Sequence, residues 1–131
     1  MSHRVLVVDN EQLVRRQVEV NLRRAGYEVG TASDGEEALA KLHEQRTDLM
    51  VLDIMMPGMD GFELLNQVRE DRDLADLPVI ILSARSHDRD IFEAWRRGVS
   101  MYLTKPFKPG DLLSTTRSIF EARDHPVPVY A

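Results

Sequence analysis

Six side chains spread over the 131 residues have the types needed for phosphoryl chemistry at a carboxylate: Asp9, Asn10 and Glu11 near the start, Asp53 in the middle, then Ser83 and Lys105. An aspartate can act as a nucleophile and form an acyl phosphate. Two anions must then be brought together, which calls for a cation to neutralise charge and hold the incoming oxygens in line. Carboxylates, water and a backbone carbonyl suit a small, hard ion such as Mg²⁺. Asp9 and Asp53 offer the carboxylates, and the Met55 carbonyl stands two residues beyond Asp53. The Lys105 ammonium and the Ser83 hydroxyl have the donors to hold phosphate oxygens from the other side. Each residue also has a plainer reading: Asp9 as a helix cap, Asp53 as the start of the Pro57-Gly58 turn, Ser83 as a turn hydroxyl, Lys105 as a surface charge. For Asp53 taken alone, the two readings weigh evenly.

The segments that precede these residues favour the chemical reading. Arg4 to Val8, Leu49 to Leu52 and Val79 to Leu82 are short, mostly apolar runs, and Met101 to Thr104 is a fourth short strand; each stops at one of the residues above. Such runs read as strands covered on both faces, which belong to parallel sheets with helices above and below. Between them lie helical patterns. Val14, Val18 and Leu22 recur over a helix from Gln12 to Ala25 that Gly26 stops. Ala38, Leu39 and Leu42 follow Ser33-Asp34-Gly35-Glu36, which has the form of a capping box with Ser33 as N-cap and Glu36 reaching back. Phe62, Leu65 and Val68 mark a helix after Asp60-Gly61. Ile91, Phe92 and Trp95 pattern another, stopped by Gly98, with Trp95 expected in the core. Leu112, Leu113, Thr116, Ile119 and Phe120 face inward on the last, from Pro109 to about Arg123. With Tyr27 to Ala32 as a further strand, five strands alternate with five helices. That order predicts an α/β fold with a doubly wound, flavodoxin-like five-stranded parallel sheet, order 2-1-3-4-5. In open sheets of this kind chemistry collects at the carboxyl ends of the strands, so the six residues should share one edge.

Composition limits the alternatives. At 43% hydrophobic and 30% charged, the chain suits one domain with one site. Without cysteine there are no disulfides and no thiolate ligands. No apolar segment is long enough for a signal peptide or a membrane span, so cytoplasm is the default and no membrane is expected as partner. A net charge of -5 argues against direct nucleic-acid binding. The pairs Arg15-Arg16, Arg23-Arg24 and Arg96-Arg97 read as solvated helix faces. A flavodoxin-like electron carrier would need a Ser/Thr/Gly-rich loop after its first strand, where this chain has Asp9-Asn10-Glu11. A phosphatase passing through an aspartyl phosphate would place a second Asp where Met55 stands.

Val7-Val8-Asp9, Leu52-Asp53-Ile54-Met55-Met56-Pro57-Gly58-Met59-Asp60-Gly61, Ser83-Ala84 and Lys105-Pro106-Phe107, in this order and spacing, resemble the receiver domain of two-component response regulators, of chemotaxis-regulator architecture. The resemblance covers Arg4 to Arg123, giving a receiver domain over 1–123 and a linker or C-terminal tail over 124–131. It implies that Asp53 is the phosphoacceptor, and that Asp9, Asn10, Asp53 and the Met55 backbone carbonyl hold Mg²⁺ or Mn²⁺. Ser83, Ala84 and Lys105 would bind the phosphate, Ser83 and Tyr102 would form a switch pair, and the Lys105–Pro106 peptide would be cis. Met55 and Arg85 would tune dephosphorylation. The implied partners are a sensor histidine kinase or His phosphotransfer protein, a downstream effector protein or a lost effector domain, and a phosphorylation-dependent dimer. Gly98 to Tyr102, however, lacks the acidic residues of the winged-helix subfamily's dimer interface. Such a domain is not an enzyme in its own right but assists its own phosphorylation and dephosphorylation.

One position departs from the family. Two adjacent carboxylates usually follow the first strand, the second a direct metal ligand, and here Asp9 is followed by Asn10. An Asn oxygen can coordinate but brings no charge. The alternative function is therefore a receiver-like interaction module that is poorly or not phosphorylated. If Asn10 weakens the ion site, Asn10→Asp tightens Mg²⁺ binding in a direct titration, and an unchanged affinity counts against the idea.

Overall fold

The computed structural model describes residues 2–125. Five strands, β1 (Arg4–Val8), β2 (Glu28–Ala32), β3 (Leu49–Leu52), β4 (Val79–Ser83) and β5 (Met101–Thr104), alternate with five helices. These are α1 (Gln12–Arg24), α2 (Gly35–Glu44), α3 (Gly61–Glu70), α4 (Asp88–Arg96) and α5 (Pro109–Asp124). All neighbouring strands are parallel, in the order β2-β1-β3-β4-β5. The expected fold is therefore present. The prolines of the expected tail lie outside the described residues, and α5 runs one residue past the expected boundary.

Side chains alternate across a strand, and the core follows that period. Leu6, Val8, Met50, Leu52, Val79 and Ile81 face α2, α3 and α4, where Ala38, Leu42, Leu64, Leu65, Val68 and Ala94 are buried. Val5, Val7, Leu49, Val51, Ile80 and Leu82 face α1 and α5, meeting Val18, Leu22, Leu112 and Phe120. Each fully buried aliphatic side chain contributes on the order of 1.5–3 kcal/mol. The two layers fix the sheet between them and leave its carboxyl edge free for polar groups.

Three local expectations are corrected. The cap of α2 is Asp34, not Ser33: Asp34 accepts from the Glu37 amide at 2.8 Å, while the Ser33 hydroxyl donates to the Glu37 carboxylate. The helix opens one residue later than the Ser-x-x-Glu pattern suggests. A carboxylate at the positive end of the helix is the stronger acceptor there. On α4, only Ala94 is fully buried, with Ile91 half-buried; Phe92 and Trp95 are 62% and 47% exposed. The nine-residue helix rests on the core through small and half-buried residues, so its aromatics stay outside. The arginine pairs are also not simply solvated. Arg15 donates to the Asp9 carbonyl, Arg23 to the Val29 carbonyl, and Arg97 to Asn66 while lying over the Phe62 ring.

At the opposite edge from the polar strand ends, buried Asp48 accepts from the Arg4 amide at 2.8 Å and pairs with Arg46, and its carbonyl accepts from Arg123 of α5. Arg69 ties α3 to the start of β4 and the α4–β5 turn, through the carbonyls of Ala75, Leu77, Arg97 and Gly98.

Gly61, which opens α3, is required by close approach. A Cβ there would lie 2.5 Å from the Ile54 Cα and 2.9 Å from the Asp53 carbonyl oxygen. Helix propensity favours alanine by about 1 kcal/mol, but the clash is with backbone that carries Asp53. Gly61→Ala is therefore expected to destabilise the chain, by about 1–3 kcal/mol as overpacking does, measured as a lower urea midpoint; an unchanged or higher midpoint would refute the close approach.

Candidate functional site

Parallel pairing aligns the strand ends, and the ladder extends one residue past them. β1 and β3 end opposite each other at Val8 and Leu52. The Asp9 amide donates to the Ala32 carbonyl at 3.1 Å and the Asp53 amide to the Val8 carbonyl at 2.9 Å. Ser83 closes β4, and the Lys105 amide donates to its carbonyl at 2.8 Å. The first residues beyond β1, β3 and β5 are thus pinned by backbone hydrogen bonds, which is why residues far apart in the chain meet.

They meet at Lys105. Its ammonium lies 2.9 Å from Asp9 Oδ2, 3.2 Å from Asp53 Oδ2 and 3.3 Å from Glu11 Oε1. Asp9 and Asp53 are each only 3% exposed. Their second oxygens are held by amides two residues on: Asp9 Oδ1 by Glu11 at 2.9 Å and Asp53 Oδ1 by Met55 at 3.0 Å. Each carboxylate is thereby aimed with one oxygen toward the backbone and one toward the lysine. Burial pushes the Asp9 carboxyl above its ordinary range, against the Glu11 amide and Lys105, which favour the ionised form. Burial alone would lower the Lys105 pKa; the hydrogen bond to Asp9 and the charge of Asp53 outweigh it, so the ammonium titrates above the usual lysine value.

The other expected residues lie around this centre. Ser83 is fully buried, and its hydroxyl oxygen accepts from the Arg85 amide at 3.2 Å. Half-buried Tyr102 donates to the Arg85 carbonyl at 2.9 Å. The two residues therefore converge on the backbone of Arg85, whose guanidinium lies 3.7 Å from Asp90. Ala84 is exposed, and so is the Met55 side chain at 46%. The Lys105–Pro106 peptide is cis.

Asn10 is exposed, as is Glu11. The residue that joins Asp9 and Asp53 is Glu11: one carboxylate oxygen from each of the three lies within 4.8 Å of the others. The family resemblance assigns Asn10 to the metal ligands. The turn into α1 also brings the Glu11 carboxylate to the Lys105 ammonium, at 3.3 Å. Arg15 was also missed; it holds the Asp9 carbonyl from one turn into α1 at 2.7 Å. Its only signal was the spacing of six from Asp9. All three acidic donors are oxygens, the donor set that fits Mg²⁺ or Mn²⁺.

The model of the response regulator receiver domain family matches residues 5–117. Among curated proteins, the alkaline phosphatase synthesis transcriptional regulatory protein PhoP of Bacillus subtilis is 37% identical over 128 residues, 98% of this chain and 52% of its own length. A probable transcriptional regulator ycf27 of Guillardia theta is 40% identical over 118 residues, 90% of this chain and 45% of its own. The chain thus spans about half the length of these relatives. Among solved structures, the chemotaxis protein CheY4 of Vibrio cholerae superimposes with a TM-score of 0.86 at 37% identity, covering 91% of this chain and 99% of that one. A BeF3-activated DrrB receiver domain gives 0.84 at 30% identity, covering 92% and 99%.

The raised Asp9 pKa has a definite sign for stability. The folded chain binds the Asp9 proton more tightly than the unfolded chain, so this contribution falls as pH rises from the ordinary aspartate value through the raised one. Burial thus disfavours the ionised Asp9 carboxylate relative to its protonated form. Asp9→Asn should therefore raise the melting temperature at pH 7, with the gain shrinking as acid protonates Asp9 in both states. A lower melting temperature at pH 7 would mean that the Lys105 pairing outweighs burial.

Proposed function

Since the chain belongs to the response regulator receiver domain family, a family of signalling domains, we propose that Asp53 accepts a phosphoryl group from a phosphohistidine on a sensor kinase or phosphotransfer protein. The supporting observation is the buried Asp53 carboxylate within hydrogen-bond reach of Lys105, beside Asp9 on one sheet edge. In the transfer, an Asp53 carboxylate oxygen forms a bond to phosphorus. The bond from phosphorus to the donor imidazole nitrogen breaks, and that nitrogen leaves with the electron pair. The Asp9 and Asp53 carboxylates and the Met55 carbonyl would hold Mg²⁺ or Mn²⁺, which when bound neutralises charge between carboxylate and phosphoryl oxygens.

The chain's own groups do the positioning. The Met55 amide fixes the Asp53 rotamer through Oδ1, and Lys105 turns from the carboxylates to the new phosphoryl oxygens. The Ser83 hydroxyl and the Ala84 amide complete the cradle. To reach the phosphoryl group, Ser83 gives up the Arg85 amide, and Tyr102, held by the Arg85 carbonyl, follows that loop. Such a change biases two pre-existing arrangements of the face made by α4, β5 and α5. Met55 and Arg85 flank the acyl phosphate and set how readily water reaches it. The kinase docks near α1 and the loop from Lys105 to Lys108, in the cytoplasm, where such kinases present their phosphohistidine. The output is read by an effector protein, or by an effector domain in the half of the relatives' length that this chain does not span. No described helix is long and apolar enough to cross a membrane.

The test is intact mass after incubation with acetyl phosphate, with and without Mg²⁺, on the native chain and on Asp53→Asn. A single phosphoryl adduct that needs Mg²⁺ and is lost in the variant is expected. Its absence from well-folded protein in excess metal would leave a receiver-like interaction module as the better account.

A further inference from the structure

Arg85 has three attachments, each to a different element. Its amide donates to the Ser83 hydroxyl at the end of β4, and its carbonyl accepts from the Tyr102 hydroxyl of β5. Its guanidinium lies 3.7 Å from the carboxylate of Asp90, in the first turn of α4. Among the described residues, Arg85 is the only hydrogen-bond or ion-pair partner of the Asp90 side chain. That side chain is 17% exposed and the Arg85 side chain 37%, so the pair is partly withdrawn from water and less screened than an open one. An acid in a first turn also favours its helix through the dipole. That plainer role needs no arginine, whereas here the carboxylate takes up the charge of the residue that stands two positions beyond Ser83, on the strand next to that of Asp53.

We infer that Asp90 is a positioning residue that restrains phosphoryl acceptance by holding the Arg85 guanidinium on α4, away from the Asp53 edge. This rests on the reading of Asp53 as phosphoacceptor with Ser83 in its cradle, and adds what limits its rate. A guanidinium binds phosphoryl oxygens through charge-assisted hydrogen bonds, and does so best when no carboxylate already holds it. With Asp90 in place the pair is neutral. With an uncharged residue at 90, the loop beside Ser83 gains one free positive charge, which attracts the anionic donor and its phosphoryl group. The pair also closes the loop between β4 and α4 on itself, so it opposes the parting of the Ser83 hydroxyl from the Arg85 amide. Both effects have the same sign, and both pass through Arg85.

The test is the initial rate of phosphoryl adduct formation on the full chain, read by intact mass with acetyl phosphate and excess Mg²⁺. Asp90→Asn should raise that rate about two- to fivefold, the span that a partly exposed ion pair commands. In an Arg85→Gln background the same change should alter it by less than about 1.5-fold, because the residue it acts through is gone. Thermal melts of the four chains check folding, and Asp90→Ser removes the same charge if the Asn variant melts early. A weakened helix start, or a general drop in negative charge, would act in both backgrounds. A rate change of equal size in both therefore overturns the assignment, as does an unchanged or lower rate in Asp90→Asn; either result leaves Asp53 as the acceptor. If neither the native chain nor any variant forms an adduct, the acceptor reading falls, and this assignment with it.

Discussion

The ammonium of Lys105 among the carboxylates of Asp9, Asp53 and Glu11 is the interaction on which the rest of this edge depends. Two buried carboxylates with oxygens up to 4.8 Å apart repel by roughly 3 kcal/mol at an effective dielectric of about 20. Without a cation between them that repulsion would go unbalanced. Lys105 supplies that cation from the end of β5, three strands away from β1. It leaves the group net negative, so the edge is stable enough to fold and still attracts a further positive charge. Removing water from Asp9 works in the same direction, raising the energy of the charged form until a partner arrives.

The scaffold's task is to hold these groups against their own repulsion. It does so with backbone rather than side chains. Ladder hydrogen bonds pin Asp9, Asp53 and Lys105 one residue past their strands, and amides two residues on orient the two aspartates. The close packing of Gly61 on Ile54 and the Asp53 carbonyl fixes the other side of the loop. The opposite edge is clamped by Asp48 with its arginines and by Arg69 on four carbonyls. Between the two edges, β4 and β5 carry Ser83 and Tyr102, both hydrogen-bonded to Arg85 in the loop that leads to α4.

On α4 the large apolar side chains meet solvent. Phe92 and Trp95 are exposed, while Arg97 reaches across to Asn66 and Phe62 of α3. The helix thus meets its neighbours through buried Ala94 and through Arg97 just past its end.

The amino-acid sequence by itself determined the order of elements, the parallel sheet and the two-layered core, because the apolar runs and the 3.6-residue stripes are local patterns that burial enforces. It also determined which residue types end each strand, and so the candidates Asp9, Asp53, Ser83 and Lys105. What only the tertiary structure decided were choices between near neighbours: Asp34 over Ser33 at a cap, Ala94 over Trp95 in the core. These depend on where a turn points and how closely a helix approaches the sheet. Such quantities are set by contacts between distant segments, so no window of sequence contains them.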